Sequence, residues 1–349
     1  MSPFENIIGH EEVIKQLRLM NEKNIVPHAL LFWGDNGIGK LKVAIEYSKI
    51  LLFNEDSSED SQVLGNRVDH LNHPDFFQLK REDGKTEILT SQIEELNKNA
   101  YLMAEKVNGK RVFIIDDAHK MNEAAANRFL KMLEEPPENV IFILISYSKN
   151  ALLKTISSRC QSVFFAPLKT DDVMSVLTTV LPPEKMNDEI INDACLLSMG
   201  SPGKAIELIN KGFSSLKSEL ENMFFESGAL RAVRLKKWIL NYLEMEFVDA
   251  NFPVQKLPMN REKSLFLIEI LSVFFREMIA MNSNVNHECK LWDIKGLQRL
   301  NIDYRQLLLI MTFLEKCTGH IKSNANINLL IDYLCIHIAQ SWNQLNKSA

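Results

Sequence analysis

The sequence has no close pair of cysteines. Its five, Cys160, Cys195, Cys289, Cys317 and Cys335, are scattered through 349 residues. That spacing excludes a disulfide-built scaffold and a zinc module of adjacent thiolates, and it fits a reducing compartment. A basic surplus is missing too. Forty-five acidic against forty basic residues leave a formal charge of −5, so the chain as a whole has no footprint of an autonomous nucleic-acid binder, and any DNA contact has to be local or shared. There is no uninterrupted apolar run of membrane length, because the most hydrophobic stretch, SLFLIEILSVFFREMIAM, is broken by Glu269, Arg276 and Glu277. The opening MSPFENIIGHEEV is too polar for a signal peptide. A cytoplasmic protein without a membrane contact is expected.

What is present divides the chain. The first half alternates short apolar runs with helical periodicity, the pattern of a parallel sheet with crossover helices. Strands are expected at HALLFWG, DFFQL, KRVFIIDD, VIFILIS and SVFFA. Helices are expected at KLKVAIEYSKILLF, at TSQIEELNKNAYLMAEKV behind a Thr90/Ser91 cap, and at NEAAANRFLKMLEE, stopped by Pro136 and Pro137. The polar segment from Asn54 to Asp69 reads as an excursion from this fold. After FFAPLKTDD the strands cease. TDDVMSVLTTVL, DEIINDACLLSMG and SPGKAIELIN suggest a small three-helix unit, and long amphipathic helices follow. The layout is an α/β domain over residues 1–167, a three-helix domain over 168–212 and an all-α domain over 213–349.

Gly34, Gly39 and Lys40 satisfy G-x-x-x-x-G-K between an apolar strand and a helical pattern, the context a phosphate-cradling loop requires. With Gly37, the glycines let backbone N–H groups face phosphates at a helix N-terminus, and Lys40 reaches the terminal phosphates. Leu41, however, stands where a Ser or Thr normally holds magnesium. The strand VFIIDD supplies Asp116 on the metal side and Asp117 where a longer glutamate usually orients the attacking water. Displacing such a group by about 1 Å can lower a rate on the order of a hundredfold. Both departures predict weak or absent hydrolysis, with ATP or ADP and Mg²⁺ held weakly at a vestigial site. The plainer alternative for the acids is a solvated strand end.

IIGHEEVIKQL, PHALLFWGDNGIGK, HPDF, RVFIIDDAHKMNEAAANRFLKMLEEPPENVIFIL, LLKTISSRCQ and GSPGKA occur in the order seen in AAA+ subunits of bacterial clamp loaders. The pattern most resembles the delta-prime type of DNA polymerase III subunit, over roughly Ile7 to Ala205. That resemblance implies a nucleotide-binding α/β AAA+ P-loop domain, a three-helix lid and a helical collar that joins subunits in a hetero-pentameric ring. It implies gamma/tau-type and delta-type subunits as partners, with the sliding clamp and primed DNA reached through the complex, and membership of a DNA-directed DNA polymerase holoenzyme. In SSRC it implies that Arg159 is an arginine finger used in trans on a neighbour's ATP; the alternative is an ordinary surface arginine. A guanidinium at the phosphoryl group accelerates such reactions by roughly 10³–10⁵-fold.

In GSPGKA the resemblance makes Lys204 the second sensor in place of a frequent arginine, or else a helix-start surface lysine. The first sensor is expected near Ser146, where Tyr147 follows instead of a small polar residue. Cys160 is expected to be packed. Many relatives carry a four-cysteine zinc module between residues 54 and 73; this chain has no cysteine there. His70 and His73, with Asp69 and Asp75, are not a credible substitute, so no metal is expected. HPDF reads instead as a turn into the second strand, Pro74 biasing His73 towards extended backbone. The leading expectation is a non-hydrolysing, stator-like subunit. The alternatives are a gamma/tau-type ATPase motor, which the intact Lys40 and Asp116 favour, and another AAA+ replication or recombination ATPase.

Overall fold

The computed structural model describes residues 4–53, 59–82, 85–102, 104, 109–185, 187–225, 232–244, 261–282, 291–292, 304–323 and 325–345. Cys289 lies outside them. Two compact units partition the chain, Met1–Glu207 and Leu208–Ala349.

The first unit is built on a five-stranded sheet of β1 (Ala29–Trp33), β2 (Phe76–Leu79), β3 (Arg111–Ile115), β4 (Val140–Ser146) and β5 (Gln161–Phe164). Every pairing is parallel and the spatial order is β2-β3-β4-β1-β5. The central strands read as continuous apolar runs because helices cover both faces. Side-chain alternation then sends successive residues to opposite layers. Leu30, Phe32, Val112, Ile114, Ile141 and Ile143 join one core with Val43, Tyr47 and Ile50. Ala29, Leu31, Phe113, Ile115, Phe142 and Leu144 join the other with Ile93, Phe129 and Met132.

The covering helices are α1 (Glu11–Glu22), α2 (Lys40–Phe53), α3 (Glu59–Asp69), α4 (Thr90–Ala100) and α5 (Glu123–Glu134). The helix expected after the glycine loop has the observed bounds, and α5 starts at the Asn122 cap, whose side-chain oxygen accepts from the Ala125 N–H at 2.8 Å. Three expectations are corrected. Residues 59–69 form α3 rather than an irregular excursion: Val68 is fully buried against the sheet's core and Asp69 pairs with Lys49 of α2 at 2.8 Å. A single apolar anchor in a polar segment is too weak a periodic signal to find such a helix. Thr90 and Ser91 do not cap α4. Its N-cap is Leu89, whose N–H donates to Gln92 Oε1 at 3.1 Å. The helix ends at Ala100, and residues 103 and 105–107 of the expected span lie outside the described ones.

Beyond β4 come the short α6 (Lys154–Ser157), then α7 (Thr170–Val180), α8 (Asp188–Leu197) and α9 (Pro202–Asn210), which crosses into the second unit. The described elements of that unit are all helices: α10 (Phe213–Phe225), α11 (Ala232–Glu244), α12 (Arg261–Asn282), α13 (Tyr304–Lys322) and α14 (Ile327–Leu345). Phe224 packs on Phe274 and Trp342, with ring centroids 4.9 and 4.7 Å away. Besides α3, the pattern reading missed α1 and α10. Among the described residues no helix is long and apolar enough to cross a membrane.

Candidate functional site

The carboxyl ends of β1, β3 and β4 bring the glycine loop, the Asp116–Asp117 pair and Ser146 to one edge of the sheet, where open α/β folds place their ligands. At Gly34, with φ +148°, a Cβ would lie 2.3 Å from the Phe165 carbonyl oxygen, so only glycine fits between β1 and the loop.

Each carbonyl from Gly34 to Gly39 accepts a hydrogen bond from within the protein. Lys40 Nζ donates to Gly34 O and to Asp35 O, both at 2.6 Å. Ser201 Oγ donates to Asn36 O at 2.8 Å, and the Gly203 N–H to Gly37 O at 2.9 Å. His10 Nε2 lies 2.7 Å from Ile38 O; a carbonyl only accepts, so that nitrogen carries the proton. Gly39 O receives the Val43 N–H as α2 begins. The loop is tied down by its own lysine, by residue 10 and by the start of α9.

Lys40 is buried. Burial lowers its pKa, against the opposing pull of Asp116, Asp35 and Asp117. Two of its three ammonium donors are spent on its own loop. Leu41 packs against the apolar cluster around Val43 and Tyr47, so the position that would bear a magnesium hydroxyl contributes to the core instead.

Asp116 is held with its pKa raised, first by burial and then by neighbouring Asp117. Its Oδ1 accepts the Asp117 N–H at 3.0 Å. Asp117 occupies the left-handed region at φ +51° and opens a short 3₁₀ turn, Ala118–Lys120, which carries Lys120 back to it. Lys120 Nζ donates to Asp117 Oδ2 at 2.8 Å. The carboxylate expected to orient the attacking water is thus engaged by a cation of its own segment. Ser146 is buried and turns its hydroxyl into the loop after β4, donating to Ser148 O at 2.8 Å. Tyr147 is half exposed and meets His119 edge-on, centroids 4.6 Å apart.

Ser201 has two tasks. Its Oγ accepts the Lys204 N–H at 3.2 Å, capping α9 ahead of Pro202, while its hydrogen goes to Asn36 O. Lys204 is therefore brought to the loop by its backbone: its nitrogen would lie 3.2 Å from a Cβ on Gly37.

Arg159 follows α6 on backbone anchored by buried Ile156 and Cys160. Nη1 donates to Thr155 O at 3.1 Å and Nη2 to Glu134 Oε1 at 2.9 Å. Burial pushes the Cys160 thiol up to about 12, well away from a nucleophile's range.

The residues weighed as a zinc substitute each have other partners. His73 Nδ1 accepts the Asp75 N–H at 3.1 Å in the turn that enters β2, Asp75 pairs with Arg111 at 3.1 Å, His70 Nδ1 bonds Asn66 O at 2.7 Å, and Asp69 pairs with Lys49.

Sequence reasoning missed His10, Lys120, Ser201, Gly203 and Glu134. Only Lys120 left a local signal, its spacing of three residues from Asp117 across a tight turn. Magnesium-assisted turnover does not fit this donor set, since Leu41 offers no oxygen and Asp117 is engaged.

A family model described as DNA polymerase III, delta subunit, matches residues 9–169. The chain is 36% identical over 159 residues to DNA polymerase III subunit delta' of Bacillus subtilis (strain 168), covering 45% of this chain and 47% of that one. It is 30% identical over 200 residues to subunit delta' of Pseudomonas aeruginosa, covering 55% and 59%. Subunit tau of Bacillus subtilis is 25% identical over 285 residues, covering 79% and 50%. The chain therefore spans about half the length of these curated relatives. The glycine loop, the acidic strand end and the SSRC arginine all lie inside the matched segment, so the part of the chain that carries the site, residues 9–169, is similar to the delta' subunits of DNA polymerase III.

Proposed function

We propose that this chain is a non-hydrolysing, stator-like subunit of a bacterial clamp loader within the DNA polymerase III holoenzyme. It presents Arg159 to the ATP bound by an adjacent subunit while the sliding clamp is loaded onto primed DNA in the cytoplasm. Its division of labour is an AAA+ domain over 1–167, a three-helix lid over 168–212 and a collar over 213–349. The collar joins it to gamma/tau-type and delta-type subunits in a five-membered ring.

The observation that carries the reading is the fate of Leu41. Partly buried, it packs against the apolar core beside Lys40, whose ammonium is committed to Gly34 O and Asp35 O. The Lys120–Asp117 pair argues the same way. Gly34, Gly37, Gly39, Lys40, Leu41, Asp116, Asp117 and Lys204 are then a vestigial nucleotide site whose framework serves the fold. Arg159 keeps a role because a guanidinium supplied to a neighbour needs no metal of its own.

The test is ATP turnover by the isolated chain and by a reconstituted loader. Negligible turnover alone, with loss of the loader's activity on Arg159→Ala, is expected. The rival reading, a gamma/tau-type motor, is favoured by the retained Lys40 and Asp116. Brisk turnover by the isolated chain that Lys40→Ala abolishes would establish it instead.

A further inference from the structure

We propose that Glu134 is a positioning residue for Arg159, holding the guanidinium aimed out of its own subunit until the neighbouring nucleotide takes it over. The proposal rests on the trans-arginine reading above.

Both terminal nitrogens of Arg159 are anchored within the subunit, Nη1 on the Thr155 carbonyl and Nη2 on Glu134 Oε1. A guanidinium has five N–H donors, so two anchors leave donors for a phosphate. The backbone beneath is fixed by buried Ile156 and Cys160. Arg159 and Glu134 are 39% and 47% exposed, so an incoming phosphate can reach the pair. An unanchored arginine samples many rotamers and loses that freedom on docking. Two anchors remove part of that freedom beforehand.

Glu134 is an expensive choice at its position. It is the last residue of α5, where the helix dipole disfavours a carboxylate, with Glu135 following and Pro136 preventing the helix from continuing. The Arg159 charge offsets that local penalty. As an exposed ion pair it adds little to stability, so its substitution is expected to leave the fold intact. What it supplies is direction.

The experiment measures steady-state ATP turnover by the loader reconstituted with its partner subunits, with assembly followed by size-exclusion chromatography. Glu134→Ala is expected to lower kcat roughly 3- to 10-fold with KM for ATP unchanged. Glu134→Gln, which keeps the acceptor oxygen, should recover most of the rate, and Arg159→Ala combined with Glu134→Ala should be no worse than Arg159→Ala alone. If Arg159→Ala abolishes turnover but Glu134→Ala matches wild type, this proposal fails and the trans-arginine reading stands. If Arg159→Ala itself leaves turnover unchanged, both fall. A Glu134→Ala loss that adds fully to that of Arg159→Ala, or that tracks lost assembly, also overturns the positioning role.

Discussion

Gly203 donates its backbone N–H to the carbonyl of Gly37 at 2.9 Å, and neither residue leaves the other room for a side chain. A Cβ on Gly203 would lie 2.8 Å from Gly37 Cα; one on Gly37 would lie 2.6 Å from Ser201 Oγ. Backbone meets backbone here, so relief requires the start of α9 to move off the loop. Gly203→Ala is expected to destabilise the chain by about 1–3 kcal/mol, as overpacking does. Hydrogen exchange at the amide of residue 203 should quicken. Unchanged denaturation and unchanged exchange would show that the contact is slack.

Restoring a metal site should need more than restoring its oxygens. Leu41→Thr with Asp117→Glu places a hydroxyl and a longer carboxylate in the expected positions, but Lys120 remains 2.8 Å from the residue-117 carboxylate in the native pairing. Magnesium-dependent binding of a fluorescent ATP analogue is therefore expected to rise modestly in that double variant and further when Lys120→Met is added. The Thr substitution removes apolar packing and should cost about 1 kcal/mol of stability. No gain in magnesium-dependent binding from either variant would contradict the account of the defect.

Asp116 has a pKa raised by burial and by Asp117, so its charge is tolerated less well in the folded chain than in the unfolded one. The native state consequently binds the proton more tightly. The stability linked to that proton is present below the ordinary carboxylate pKa of about 4 and is lost as pH rises through the folded value. Asp116→Asn keeps an acceptor for the Asp117 N–H and carries no charge. It should be more stable than wild type near neutrality and should converge with it in acid. Parallel stability profiles across pH would refute the assignment.

The Asp75–Arg111 pair is almost completely buried, and Arg111 also donates to the carbonyls of Asn99, Leu102 and Pro74. The guanidinium lies 5.1 Å from the Phe77 ring centroid. Asp75→Ala would strand a buried cation at the β2–β3 edge, and a loss of about 3–5 kcal/mol in chemical denaturation is expected. Asp75→Asn, which retains an acceptor for Nε, should lose less. If the two variants behave alike, charge pairing is not what Asp75 contributes.

Much of the α/β architecture is legible along the chain because buried parallel strands must be apolar on both faces. VIFILIS needs no partner to look like a central strand, and Lys40–Phe53 has helical period from its first residue. The five expected strands are the five observed ones, and long helices follow the sheet domain as expected. Helix α3 was hidden by its polarity, and α10 follows α9 too closely to be separated by pattern.

The residues of the glycine loop, the missing hydroxyl at Leu41 and the presence of Arg159 belong to the sequence itself: they follow from residue type and order, which fix what chemistry each position can offer. Where those groups point belongs to the tertiary structure. Strand order β2-β3-β4-β1-β5, the packing of Leu41 against the core, Ser201 and Gly203 on the loop, and Glu134 beside Arg159 all join segments far apart in the chain. Local pattern carries no information about such pairings, because hydrogen bonds and close packing depend on distances that exist only after the sheet has assembled.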